Sequence, residues 1–237
     1  MIRFKSLLAA SALVAFSATA TLAGGVGNSY GANWLDGYSS QNPTGSDIIN
    51  GQINLQTNWS NLMGVVDTVG GDVVAQGAAA GNMVDITTMN DTRVLNNQFV
   101  DSKATIGSNV ALDANNVWGS VGVNNQAFCN GASVSTDPVV TAVKSNQECY
   151  AKDPFVGTDA IATNIAGNAV FQGSALGNTF QADSNAPNFP VFNRQLNASG
   201  TISNMNVAAY NVGGTVGMSS SAIGNTAQII HYNTGGH

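Results

Sequence analysis

Glutamate is all but missing from this chain. Glu148 is the only one, and lysine and arginine together number 7. Charged residues make up 8% of the sequence, about a third of the roughly 25% usual in soluble domains. Exposed helices draw on Glu, Lys and Arg, so their scarcity excludes a largely helical fold. The two histidines, His231 and His237, stand at the C-terminal end, which leaves few groups for acid and base chemistry near neutral pH. Beyond the first few residues the cations are Arg93, Lys103, Lys144, Lys152 and Arg194, scattered and outnumbered by 13 acids. Such a chain has no electrostatic footprint for nucleic acid.

Apolar residues reach 43%, and there are 27 glycines and 30 asparagines. The apolar content is enough for a core and argues against intrinsic disorder. The surface must then be dressed in Asn, Ser, Thr and Gly rather than in charge. At the N-terminus, Arg3 and Lys5 precede an apolar run from Leu7 to Leu22 that ends in small residues, Ala18-Thr19-Ala20 or Thr21-Leu22-Ala23. That is the form of a cleaved secretory signal peptide, expected over residues 1–23. Nothing later is apolar for long enough to make a membrane helix. Export favours a disulfide between the only two cysteines, Cys129 and Cys149. No metal-ligand spacing accompanies them, and no cofactor is expected.

Internal similarity is the main architectural signal. Val73-Val74-Ala75-Gln76-Gly77-Ala78-Ala79-Ala80-Gly81-Asn82-Met83-Val84 aligns position for position with Ala169-Val170-Phe171-Gln172-Gly173-Ser174-Ala175-Leu176-Gly177-Asn178-Thr179-Phe180. A third copy, Ser221-Ala222-Ile223-Gly224-Asn225-Thr226-Ala227-Gln228, follows 47 residues after the second, about half the interval between the first two. Weaker copies contain Gly107 (residues 104–112) and Gly167-Asn168 (residues 165–170). Each copy is a small or apolar stretch, a Gly-Asn corner tolerant of positive φ, and an alternating strand. Such a unit cannot bury its apolar face alone, so copies must stack.

Stacking in parallel sets like residues above one another. Amide side chains then donate and accept along a column, whereas stacked Lys or Glu repel. One mechanism thus predicts both the asparagine and the missing charge. The expected fold is all-β, a parallel β-solenoid with repeat corners and ladders at Gln76, Gly81, Asn82, Gly107, Gly167, Asn168, Gln172, Gly177, Asn178, Gly224, Asn225 and Gln228. The alternative is an antiparallel β-sandwich with Gly-Asn hairpin turns. The organisation reads as a Gly/Asn-rich flexible arm at 24–47 and a repeat body at 48–232. Within the body a surface insertion at 129–154, stapled by the cysteines, holds Lys144, Glu148 and Lys152; the tail at 233–237 is expected to fray.

Two features raise the prospect of a carbohydrate ligand. Trp34, Trp59 and Trp118 are candidates for stacking on sugar rings. Asp67, Asp72, Asp85 and Asp91 lie near Arg93 in sequence, and a glycosidase-like pair would need them together in one groove. Val69-Gly70-Gly71-Asp72 matches one fragment of a calcium-binding turn, without the tandem nonapeptides that such a turn requires.

The copies at residues 104–112 and 221–229 resemble head repeats of trimeric autotransporter adhesins. The chain departs from that family in having no coiled-coil stalk and no barrel segment after Ile230. Its overall habit of signal peptide, Gly/Asn-rich arm and Asn/Gln-bearing strand repeats is similar to curlin-type fibre subunits and to holdfast-anchor proteins of stalked bacteria. That resemblance implies a secreted, outer-membrane-associated structural protein without catalytic residues, exported through a separate outer-membrane pore. It further implies self-association or contact with related surface subunits, with polysaccharide as a candidate partner. The competing expectation is an extracellular sugar-binding or polysaccharide-degrading β-helix.

Overall fold

A computed structural model describes residues 46–232 except 90, 137–140 and 187–188. These residues belong to one compact unit, residues 42–237. The expected signal peptide, the tail at 233–237, Trp34 and nearly all of the expected arm lie outside the described residues.

Twelve strands follow one another without a helix among the described residues: β1 Ser46–Asn54, β2 Asn58–Val69, β3 Val73–Thr88, β4 Thr92–Val100, β5 Thr105–Val117, β6 Val121–Thr136, β7 Thr141–Cys149, β8 Lys152–Ile165, β9 Ala169–Ser184, β10 Val191–Asn197, β11 Ile202–Val212 and β12 Val216–His231. They wind as four coils of three strands. Every first strand joins one sheet in the order β1-β4-β7-β10, every second strand a sheet β11-β8-β5-β2, and every third a sheet β12-β9-β6-β3. All pairings are parallel, so the chain is a parallel β-solenoid and the antiparallel sandwich is excluded.

Sequence periodicity explains the sheets. Along β6 the inward residues Val121, Val123, Asn125, Ala127 and Cys129 alternate with half-buried outward ones, and the alternation then shifts by one residue so that Asn130, Ala132, Val134 and Thr136 face inward. The same shift occurs at Gly177-Asn178 in β9, so each third strand bends once in its middle. The interior holds three apolar clusters, around Val110 and Phe171, around Ile106 and Val156, and around Val94 and Val134. They draw mainly on coils 2 and 3, which are covered on both sides by their neighbours.

The corner between the second and third strands is fixed by chemistry that recurs in every coil. Thr68, Asn116, Asn164 and Asn211 take up positive φ of 53–56°, a region that Asn tolerates better than most residues. A glycine follows three residues later. A Cβ on Gly167 would lie 2.7 Å from the Gly119 carbonyl of the coil below, and its amide donates to that same oxygen at 2.9 Å. The hydrogen-bond ladder therefore passes round the corner without a break.

Of residues 129–154, expected as a surface insertion, the described ones belong to the strands and corners of the solenoid. The second half of β6 and β7 from Val143 onward pair in register with the coils on either side, while the start of β8 pairs with β5 through a register shift between Thr105 and Gly107. The charges that suggested an insertion, Lys144 and Glu148, sit at outward positions of β7, where alternation allows them without touching the core.

Gly177 is a sensitive point in this packing, because a Cβ there would fall on the Gly224 carbonyl and near Asn197. Gly177→Ala is expected to cost about 1–3 kcal/mol through overpacking, read as a lower denaturant midpoint. Gly122→Ala, with no atom within 4 Å of the added carbon, should leave the midpoint unchanged.

Candidate functional site

Two columns of side-chain amides run through the interior and together form the most ordered chemical feature of the molecule. In the third-strand sheet, Asn82, Asn130, Asn178 and Asn225 stack one per coil. Each Nδ2 donates to the Oδ1 of the next, Asn82 to Asn130 at 2.9 Å, Asn130 to Asn178 at 2.7 Å and Asn178 to Asn225 at 2.8 Å. In the first-strand sheet, Gln52, Gln98, Gln147 and Gln195 do the same with the opposite polarity: Gln98 donates to Gln52, Gln147 to Gln98 and Gln195 to Gln147, each at 2.8 Å.

The second proton of each amide crosses the interior. Gln52, Gln98, Gln147 and Gln195 donate to the carbonyls of Met83, Gly131, Thr179 and Thr226 at 2.8–3.0 Å. Each of those residues directly follows a ladder asparagine. In return Asn82, Asn130 and Asn178 donate to the carbonyls of Phe99, Glu148 and Leu196 at 2.8–3.0 Å, each directly following a ladder glutamine. The two sheets are thereby clamped to each other in every coil, and the fully buried Asn130, Asn178, Gln98 and Gln147 have both protons satisfied. A buried amide is tolerated only on that condition.

Beside these ladders lies the disulfide. Cys129 and Cys149 are bonded, both fully buried, and tie the third strand of coil 2 to the first strand of coil 3. The expected pairing is present, inside the solenoid and not at the base of a loop. Its loop is close in size to the 15-residue case worth about 3 kcal/mol in the chain-entropy model.

A third ladder faces solvent at the corner. Asn116 donates to Asp67 Oδ1 at 2.9 Å, Asn164 to Asn116 at 3.0 Å and Asn211 to Asn164 at 2.8 Å. A groove of about 570 Å³ runs along it, flanked by Trp118, which is 75% exposed. Polar residues one step further on complete the corner. Asp72 Oδ1 accepts the Ser120 amide at 2.7 Å, Ser120 Oγ the Asn168 amide at 3.1 Å and Asn168 Oδ1 the Thr215 amide at 2.9 Å.

The residues singled out from sequence fall in several places. Asn82, Asn178 and Asn225 form the interior ladder, with Gly81, Gly177 and Gly224 just before them at the bend. Gly167 and Asn168 belong to the corner. Gly107 lies beneath the Trp59 ring, which crosses over it to stack on Phe155 at 6.0 Å. Gln76, Gln172 and Gln228 are exposed on the outer surface of the third-strand sheet, away from both interior ladders. Trp59 pairs with Gly107 near the start of β5 while Trp118 follows the end of that strand, so the two stand at opposite ends of the second-strand sheet.

Of the four aspartates, Asp67, Asp72 and Asp85 stand apart from Arg93, and Asp91 lies two residues before it, just ahead of β4. Arg93 pairs with Asp47, Asp67 and Asp72 serve the corner, and Asp85 faces outward from β3. Among the described residues no group of three His, Cys, Asp or Glu side chains is placed to hold a metal ion. His231 Nε2 donates to the Ala186 carbonyl at 2.6 Å.

The glutamine ladder, Asn130 and the corner asparagines were missed from sequence. A signal for the first exists: Asn50-Gly51-Gln52, Asn96-Asn97-Gln98, Ser145-Asn146-Gln147 and Asn193-Arg194-Gln195 recur at 46 to 49 residues.

Replacing Asn130 by Asp keeps the shape but removes both donors and leaves a carboxylate among the Asn178 and Glu148 oxygens. The expected loss is at least about 3 kcal/mol, measured by equilibrium unfolding. Asn124→Asp, at a half-buried outward position six residues earlier on the same strand, should change stability by less than about 0.5 kcal/mol.

Residues 9–237 match the family model described as Holdfast attachment protein D, HfaD. No curated protein and no solved structure matches the chain.

Proposed function

We propose that this chain, which belongs to the holdfast attachment protein D family, is a non-catalytic anchor that holds adhesive polysaccharide, or a fibre bearing it, to the outer surface of the cell. The observation that carries this reading is the pair of interior amide ladders, which bind every coil to the next along the whole solenoid. Such a body is a stiff spacer with repetitive faces, suited to presenting contacts rather than to turning over a substrate. The family match over nearly the whole chain supports surface attachment as the task. The N-terminal segment supports export, and an outer-membrane pore is the route in keeping with a product lacking any helix long enough to cross a membrane among the described residues.

Trp118 and its groove favour direct contact with glycan. An exposed indole beside a row of amides, each with a lone pair or proton to spare, offers a stacking surface and hydrogen bonds together. The degradative alternative loses part of its support, because Asp72 and Asp85 stand apart from Arg93, which pairs with Asp47.

Cells lacking the chain should shed their adhesive polysaccharide under flow and regain it when the gene is restored; unchanged retention would reject the anchor role. Trp118→Ala should lower capture of that polysaccharide by the purified protein several-fold with an unaltered melting temperature. Release of new reducing ends from the polysaccharide would instead establish a carbohydrate-active enzyme.

A further inference from the structure

Among the described residues, β1, β2 and β3 at one end of the solenoid and β10, β11 and β12 at the other have no strand on their outer side. Long unpaired strand edges of this kind are templates for another chain. The two ends also differ in what they present, and the differences match.

At the C-terminal end, Asn225 accepts from Asn178, and its own Nδ2 has no partner among the described residues. Gln195 Nε2 is used twice, while its Oε1 receives no donor. At the N-terminal end, Asn82 Oδ1 receives none, and Gln52 Nε2 has spent one proton on Met83. Continuing the register by one coil sets Asn225 Nδ2 against Asn82 Oδ1 of a second copy. It also brings Asn225 to the carbonyl of Ile53, the equivalent of Phe99, Glu148 and Leu196. The same step sets Gln52 Nε2 of that copy against Gln195 Oε1. Both ladders, though opposite in polarity, continue without a mismatch.

Apolar surface and charge agree. The inward residues Val216, Met218 and Ile229 of β12 are 42%, 54% and 50% exposed, an interior cut open. Their register equivalents in a following coil 1 are Val73, Ala75 and Ile86. Coil 1 carries Asp47, Asp67, Asp72 and Asp85 with no lysine or arginine, whereas coil 4 carries Arg194 and His231 with no acid. Asp85 would meet Gln228 and Asp67 would meet Tyr210, so no acid stacks on another. Two N-terminal ends would instead bring all the coil 1 aspartates together.

We infer that copies of this chain stack coaxially head to tail, coil 4 of one against coil 1 of the next, making a polar assembly with a continuous hydrogen-bond ladder. The inference rests on the anchor reading for its cellular meaning. Its partner is a second copy of this chain. Four coils at about 4.8 Å each give an axial repeat of about 19 Å per copy.

The test uses the exported protein carrying either Asp85→Cys or Gln228→Cys, both at outward positions away from the buried disulfide. Neighbouring strands lie about 4.8 Å apart, within reach of a disulfide. Mixed and oxidised, the D85C and Q228C chains should cross-link to each other, while neither cross-links to itself. Asn225→Asp keeps the oxygen that Asn178 uses and removes only the outward donor, so it should cut the mixed cross-link at least tenfold with the melting temperature unchanged. Self-pairing of either variant, an N225D yield equal to wild type, or a monomer without cross-link at tens of micromolar would overturn head-to-tail stacking. Cells that need the chain for attachment while its copies fail to cross-link would retain the anchor reading and reject the stacking; cross-linking by a chain that attachment does not need would do the reverse.

Discussion

Parallel, in-register stacking is the constraint on which everything else in this molecule depends. Once strands repeat at one rung spacing, whatever occupies a position meets its counterparts directly above and below. A column tolerates apolar residues, hydroxyls or amides, and penalises like charges. That is why so little charge is present and why ion pairs such as Arg93 with Asp47 and Arg194 with Glu148 join opposite signs across adjacent coils. It is also why glycine recurs where backbones touch at corners.

Interior amides carry a cost that apolar side chains would avoid, and the structure shows how it is met. Each ladder glutamine or asparagine in the middle coils places one proton along the column and one across the cavity. Leucine in those places would bury more hydrophobic surface but would say nothing about register, since apolar columns slide with little penalty. The clamp between the residue after each Gln and the residue after each Asn fixes which rung of one sheet faces which rung of the other. The disulfide sits in the same region and fixes coil 2 to coil 3 by covalent means.

Fold class was legible because Gly-Asn recurs with matching flanks, and the interval from Gly81-Asn82 to Gly177-Asn178 spans two coils. The intervening copy was hidden because Cys129 stands where the others have glycine. Gln76 and Gln172 align in sequence as well as any ladder pair, yet strand alternation places them outside. Gly167-Asn168 and Gly107 carry the motif's letters on other faces, since two residues cannot specify a coil position. The glutamine ladder escaped notice because its flanks change from coil to coil, and only Asn or Ser two residues earlier persists. The apparent insertion around Glu148 came from reading charge as a loop signal, when the outward face of a strand accepts it equally.

The cross-link between Cys129 and Cys149 also has a mechanical meaning. A tether that pulls on the two ends of a solenoid peels it rung by rung, because the hydrogen bonds that join coils are loaded a few at a time. Peeling from either end passes its load through the covalent bond from one cysteine to the other, so the chain between Cys129 and Cys149, the second half of β6 and nearly all of β7, cannot be drawn out. The buried pair thus shortens by one closed loop the length that full extension can release, and keeps a piece of coil 2 tied to a piece of coil 3 as the place from which the strands rewind.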